Sequence, residues 1–124
     1  MRAHVEREAP LEACGLVAGH PGVLEVVYPI RNSMRSSVRY HMDGPEQVKA
    51  FVEIERSGLA LLAIFHSHPE GPALLSPQDM AELHYPDLLQ LLWVRQGETW
   101  GCKAYRIASP GVEEIPLVLD EEQL

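Results

Sequence analysis

The period of the apolar positions changes several times along the 124 residues. Residues 2–9 carry polar helix formers and run into Pro10, which predicts a short helix lacking its first turns. "CGLVAG" and "VLEVVYPI" read as two strands meeting at a hairpin-like turn, "HPG". The stretch 31–44 is Ser-rich and irregular. From Pro45, "PEQVKAFVEIERSG" sets Val48, Phe51, Val52 and Glu55 at helical spacing and stops at Gly58, the pattern of an amphipathic helix. "LALLAIF", residues 59–65, is too short for a globular helix and apolar without alternation, which fits a strand buried on both faces.

"SPQDMAELHY" opens a further short helix, with Ser76 as N-cap and Pro77 at its first position. "DLLQLLWV", "WGCKAYRI" and "EEIPLVL" supply three more strands before an acidic tail, "DEEQ", that is expected to fray. Trp93, Trp100 and the strand leucines are read as core. No repeat or linker divides the chain, so residues 1–124 are expected to form one α/β or α+β sheet domain with helices packed on it.

Composition narrows what such a domain does. The 46% hydrophobic content supports a core without disulfides or a structural metal, so a metal bound here is expected to do chemistry. Ten basic against 18 acidic residues leave a net charge of −8, which argues against nucleic acid as the main partner. No apolar stretch reaches the roughly 18 residues that span a bilayer. "MRAHVEREAPLEACG" lacks a signal-like apolar core, so a cytoplasmic location is the default. Cys14 and Cys102 are then small buried hydrophobes and not a disulfide. "RNSMRSSVR" departs from the acidic balance: Arg31, Arg35 and Arg39 stand there without an acid, on either a solvated loop or a docking site for an acidic or carbonyl-rich partner.

The chemistry concentrates in "IFHSHPEGPALLSPQD", residues 64–79. Residues i and i+2 of a strand share a face, so His66 and His68 can aim imidazole nitrogens at one point, while Ser67 faces away. Zinc takes imidazole and carboxylate ligands, and a catalytic site keeps one position open for water. Asp79, in the first turn of the following helix, is the natural third ligand. Ser76 and Asp79 are equally a good helix start, a capping serine followed by a carboxylate at the positive end of the helix dipole. His4, His20, His41 and His84 have no partner at ligand spacing and are read as surface or structural residues.

His66, Ser67, His68, seven intervening residues, Ser76, two more and Asp79 resemble the H-[ST]-H-x7-S-x-x-D signature of the JAMM (MPN+) metalloproteases, and Pro69 matches the proline that usually follows the second histidine. Upstream, "LEACGLVAG" looks like the family's E-x-C-G segment, in which a glutamate begins the first strand. The resemblance implies a cytidine-deaminase-like α/β sandwich, a curved and mainly antiparallel sheet flanked by helices. It implies one zinc ion per chain on His66, His68 and Asp79, Glu12 as general base and proton shuttle, and Ser76 as a group that orients or stabilises the oxyanion. Cys14 receives a packing role.

The resemblance also implies a substrate. Small prokaryotic members look like processors of ubiquitin-like sulfur-carrier proteins, cutting the amide bond after a C-terminal Gly-Gly. Such an extended tail suits a narrow metal cleft because it can add as a strand at a sheet edge. The 31–39 segment, with Arg31, Arg35 and Arg39, would guide the tail. Two further readings stand beside this one: a zinc hydrolase of small peptides or amide metabolites, and a binding module that keeps the metal for structure alone. Exposed hydrophobic edges would support a homodimer.

Overall fold

The computed structural model describes residues 1–72, 74–76, 79, 87–108 and 111–118. Helix α1 (Arg2–Glu8) leads into strand β1 (Cys14–His20), which turns at Pro21 and Gly22 into β2 (Val23–Ile30). Gly22 takes a φ of 81°, a left-handed turn conformation that glycine adopts without steric cost. Helix α2 (Gly44–Arg56) precedes β3 (Ala60–His68), and β4 (Leu89–Gln96), β5 (Thr99–Ala108) and β6 (Gly111–Ile115) follow. The six strands form one mixed sheet in the order β2-β1-β3-β4-β5-β6. Only the central pair β3–β4 is parallel; every other neighbour is antiparallel.

Alternation along the strands sorts side chains into two layers. Phe65 and Ala63 of β3 pack with Val5 of α1, Val17, Leu91 and Trp93 on one side. Ile64 joins Cys14, Leu16, Ile30, Met42 and Ala50 of α2 on the other. His66 and His68 continue the Ile64 side, so they emerge on the α2 face at the C-terminal end of a central strand.

Several boundaries and faces differ from expectation. Strand β3 runs on through His68, because both histidines pair with β4 opposite Leu92 and Val94. β6 stops at Ile115 instead of reaching residue 119: Pro116 has no N–H for the ladder. In α2 the buried residues are Ala50 and Ile54, while Val48 and Val52 are 60% and 40% exposed. Phe51, from the expected face, does pack against the core, and the helix start is held by Asp43 accepting from the Glu46 N–H and by Gln47 Nε2 donating to the Met42 carbonyl. Of the helix expected after Ser76, residues 77, 78 and 80–86 lie outside the described residues, as do His84 and the acidic tail.

Gly15 is where two layers leave no room. A Cβ there would overlap the ring of Phe65 and stand 2.6 Å from the Tyr28 carbonyl oxygen. Gly15→Ala is therefore expected to destabilise the fold by about 1–3 kcal/mol or more, read as a lower urea midpoint at unchanged slope.

Both cysteines are free thiols. Cys14 is fully buried and donates to the Ile30 carbonyl at 3.3 Å. Burial pushes each thiol up to about 12. Neither is expected to react appreciably with a thiol reagent at pH 8 until denaturant is added, whereupon both should titrate.

Candidate metal centre

His66 and His68 are held on β3 between two hydrogen-bonded neighbours, β1 and β4, and both are nearly fully buried. Between them Ser67 turns to the other face, where its Oγ accepts from the Ala13 N–H at 2.8 Å and its own N–H donates to the Ala13 carbonyl at 3.0 Å. The serine thus fixes the stretch just ahead of β1 against the histidine strand. Glu12 lies in that stretch. It precedes β1 by two residues instead of beginning it, because its N–H donates to the Ser36 carbonyl at 2.7 Å and not to a strand. The Glu12 side chain is 2% exposed, and its Oε1 is buried without a hydrogen-bond partner.

Asp79 closes the group. Its N–H donates to Ser76 Oγ at 3.0 Å, and its Oδ2 accepts from the Ser76 N–H at 2.8 Å, the reciprocal pattern of a capping box. The same Oδ2 stands 3.2 Å from His66 Nε2 and 3.1 Å from His68 Nε2. The cap and ligand readings of Ser76 and Asp79 are therefore compatible: the box aims the carboxylate at the histidines. One potential ligand atom from each of Glu12, His66, His68 and Asp79 falls within 4.8 Å of the others.

The donor chemistry fits a metal ion. His68 Nδ1 is 2.8 Å from the Pro72 carbonyl and donates to it, which leaves the Nε2 lone pair facing Asp79 Oδ2. Lone pair against carboxylate is favourable only with a cation between them or a second proton on the ring. Both ring nitrogens of His66 are buried without a hydrogen bond, since the approach to Asp79 lacks hydrogen-bonding geometry. Separations of 3.1–3.2 Å are close to the roughly 3.3 Å between two ligands on a tetrahedral ion with bonds of about 2.0 Å.

The electrostatics follow from this crowding. Burial alone would raise Asp79, yet the facing imidazoles and the Ser76 N–H hold it well below the usual carboxylate range. Burial lowers His66, against the pull of Asp79. For His68 burial is outweighed by Asp79 and the Pro72 carbonyl, and the net shift is upward. Burial lifts Glu12 to about 8, moderated by His68 and reinforced by Asp79.

The arginines are placed differently. Arg31 donates to Asp43 at 2.8 Å and lies 3.8 Å from Glu46, so its charge is engaged at the start of α2. Arg35 and Arg39 are exposed on the 31–42 segment. His4 is buried edge-on to Phe65, His20 bonds Glu25 at the surface, and His41 meets Ser33. Two residues that motif reasoning did not single out border the centre. Tyr40 stacks on His66 with ring centroids 4.6 Å apart, and Asn32 bonds the Glu12 carbonyl. An aromatic and an amide inside a Ser-rich loop carry no spacing that would have marked them.

A family profile described as prokaryotic homologs of the JAB domain matches residues 1–108. A probable TtuB-protein conjugate cleaving protease of Thermus thermophilus is 48% identical over 119 residues, covering 95% of this chain and 75% of that one. The CysO-cysteine peptidase of Mycobacterium tuberculosis is 33% identical over 125 residues, covering 98% of this chain and 86% of the other. Among solved structures, a protein of Desulfitobacterium hafniense superposes with a TM-score of 0.85 at 33% identity, covering 95% of this chain and 84% of that one.

Proposed function

The chain belongs to the prokaryotic homologs of the JAB domain, and we infer that it is a zinc-dependent hydrolase cutting the amide bond after the C-terminal Gly-Gly of a ubiquitin-like sulfur-carrier protein. The observation that carries this reading is the convergence of Glu12, His66, His68 and Asp79 within 4.8 Å. The relatives support the substrate class, one being a probable TtuB-conjugate protease and another a CysO-cysteine peptidase. Family membership also supports the finer fold reading, a curved sandwich of cytidine-deaminase type. A cytoplasmic location fits such a substrate, and no helix among the described residues is long and apolar enough to cross a membrane.

In this reading His66, His68 and Asp79 would hold one zinc ion, with His66 Nε2, His68 Nε2 and Asp79 Oδ2 the atoms that face one another. Bound there, zinc supplies a Lewis acid for the scissile carbonyl and lowers the pKa of a water to about 7. Glu12 takes a proton from the attacking water at a carboxylate oxygen and passes it to the leaving amine nitrogen. In the metal-free chain burial lifts this carboxyl to about 8, and a dication bound beside it would bring it back down toward the range in which it accepts a proton. Ser76 Oγ already accepts from the Asp79 N–H, which leaves its O–H to donate to the oxyanion. Arg31, Arg35 and Arg39 are exposed on the segment that holds Glu12 and would meet the acidic or carbonyl groups of an incoming tail, Arg31 while paired with Asp43.

The test uses zinc-loaded protein and two substrates, a folded carrier extended beyond Gly-Gly and a short peptide of the same tail sequence. Intact-mass analysis is expected to show a carrier ending in Gly-Gly, with the peptide at least about tenfold slower because it lacks the remote binding surface. Equal rates would transfer the reading to a small-peptide hydrolase. No cleavage of either, with zinc bound, would leave a binding module whose metal is structural.

A further inference from the structure

The aim of the Glu12 carboxylate is set in part through its backbone. Oε1 is buried with no hydrogen-bond partner, so no contact on that oxygen fixes the orientation of the carboxylate. Its backbone does so in part, yet Glu12 lies outside β1 and has no place in the sheet ladder. The two main-chain groups of the residue are instead held from one side. Its N–H donates to the Ser36 carbonyl at 2.7 Å, and its carbonyl accepts from Asn32 Nδ2 at 3.0 Å. Both partners belong to the irregular segment between β2 and α2.

That segment is itself organised by Asn32. The side chain is 7% exposed and all four of its hydrogen-bonding positions go to main chain. Nδ2 donates to the carbonyls of Glu12 and Arg39, each at 3.0 Å. Oδ1 accepts from the N–H groups of Met34 at 3.0 Å and His41 at 3.1 Å. One amide therefore closes the loop that carries Ser36 and, directly, grips the residue whose carboxylate points at the metal centre. Its backbone pairs with Met42 in an isolated bridge, which fixes the amide relative to α2. Tyr40, stacked on His66, rides on the same loop between two of the anchored positions.

We infer that Asn32 is the positioning residue of Glu12: its buried amide holds the Glu12 backbone at the one place where the carboxylate reaches the attacking water. It touches neither metal ligands nor substrate, and acts only through Glu12 and the loop. The inference deepens the hydrolase reading above and rests on it. Loss of the amide would let the 11–13 stretch move by a fraction of an ångström, which is costly for a proton transfer that needs hydrogen-bond reach. Ser67, bonded to Ala13 from the other side, would still secure the stretch to β3, so the metal ligands would keep their places.

The test is a double-mutant cycle on zinc-loaded protein, measured well below the unfolding temperature, with zinc content and kcat and KM on the carrier substrate recorded for each variant. Asn32→Ala is expected to keep its zinc and lose at least about tenfold in kcat with a smaller change in KM. Asn32→Asp keeps the acceptor for the Met34 and His41 N–H groups but sets a carboxylate oxygen against the Glu12 and Arg39 carbonyls, so it should show the same kcat loss with the Met34 and His41 side of the loop still held. In a Glu12→Gln background, Asn32→Ala should cost no further activity. The inference is overturned if Asn32→Ala and Asn32→Asp retain native kcat, or if the loss in kcat is as large in the Glu12→Gln background as in the native one. Failure of the hydrolase reading itself looks different, as inactive native protein or a fully active Glu12→Gln variant. Should Asn32→Ala fail to fold, Asn32→Asp carries the cycle alone.

Discussion

Replacing Glu12 by Gln should lower kcat on a carrier substrate by about 10²- to 10⁴-fold, the range general acid–base groups contribute, while zinc content stays at about one per chain. The amide keeps the volume and burial of the carboxyl and removes only its proton traffic. The same variant makes a second, thermodynamic prediction in metal-free protein. Burial raises the folded-state Glu12 to about 8 from an ordinary value of 4.5. Between those values the unfolded chain has released a proton that the folded chain still holds, so stability falls as pH rises through this window. Glu12→Gln has no such proton to release. Metal-free Glu12→Gln protein should therefore melt higher than the metal-free native chain, with a gap that widens from pH 5 to pH 8. A gap that narrows over that range would mean that Glu12 is not buried as described.

Asp79 should separate metal binding from helix capping. Its carboxylate both accepts from the Ser76 N–H and faces the two histidines. Asp79→Ala removes both roles, and elemental analysis should find bound zinc reduced from about one per chain to a small fraction. It should also lose about 1 kcal/mol from the cap. Asp79→Asn retains an oxygen for the Ser76 N–H, so it should recover most of that stability yet still bind zinc poorly, because a neutral amide neither balances the ion's charge nor matches a carboxylate as a ligand. If Asp79→Asn keeps zinc as well as the native chain does, the aspartate is a cap and the centre lacks its third ligand.

The residues of this centre were legible because fixed spacings on regular elements put them there. His66 and His68 are two apart on a strand, and Ser76 and Asp79 are three apart in a capping box; both relations hold wherever those elements go. Glu12 was found by motif alone, and its exact setting was not, since its backbone bonds to a loop more than 20 residues away. Asn32 and Tyr40 were not legible for the same reason: their partners are set by the path of an irregular segment that has no period. The face of α2 was legible only in part: Phe51 packs against the core as its spacing suggests, but Val48 and Val52 are exposed while Ala50 and Ile54 are buried. The order and pairing of the strands also had to come from the structure. A run such as "LALLAIF" says that a strand is buried, but not that its neighbours are β1, antiparallel, and β4, parallel.

The most direct measurement is a titration of metal-free protein with zinc, following cleavage of a folded carrier extended beyond its Gly-Gly. Activity is expected to be absent at the start, to rise linearly, and to break at about one zinc per chain, with no such rise for Asp79→Ala. Full activity in the metal-stripped protein, or a chain that takes up zinc at this centre and cleaves nothing, would contradict the account.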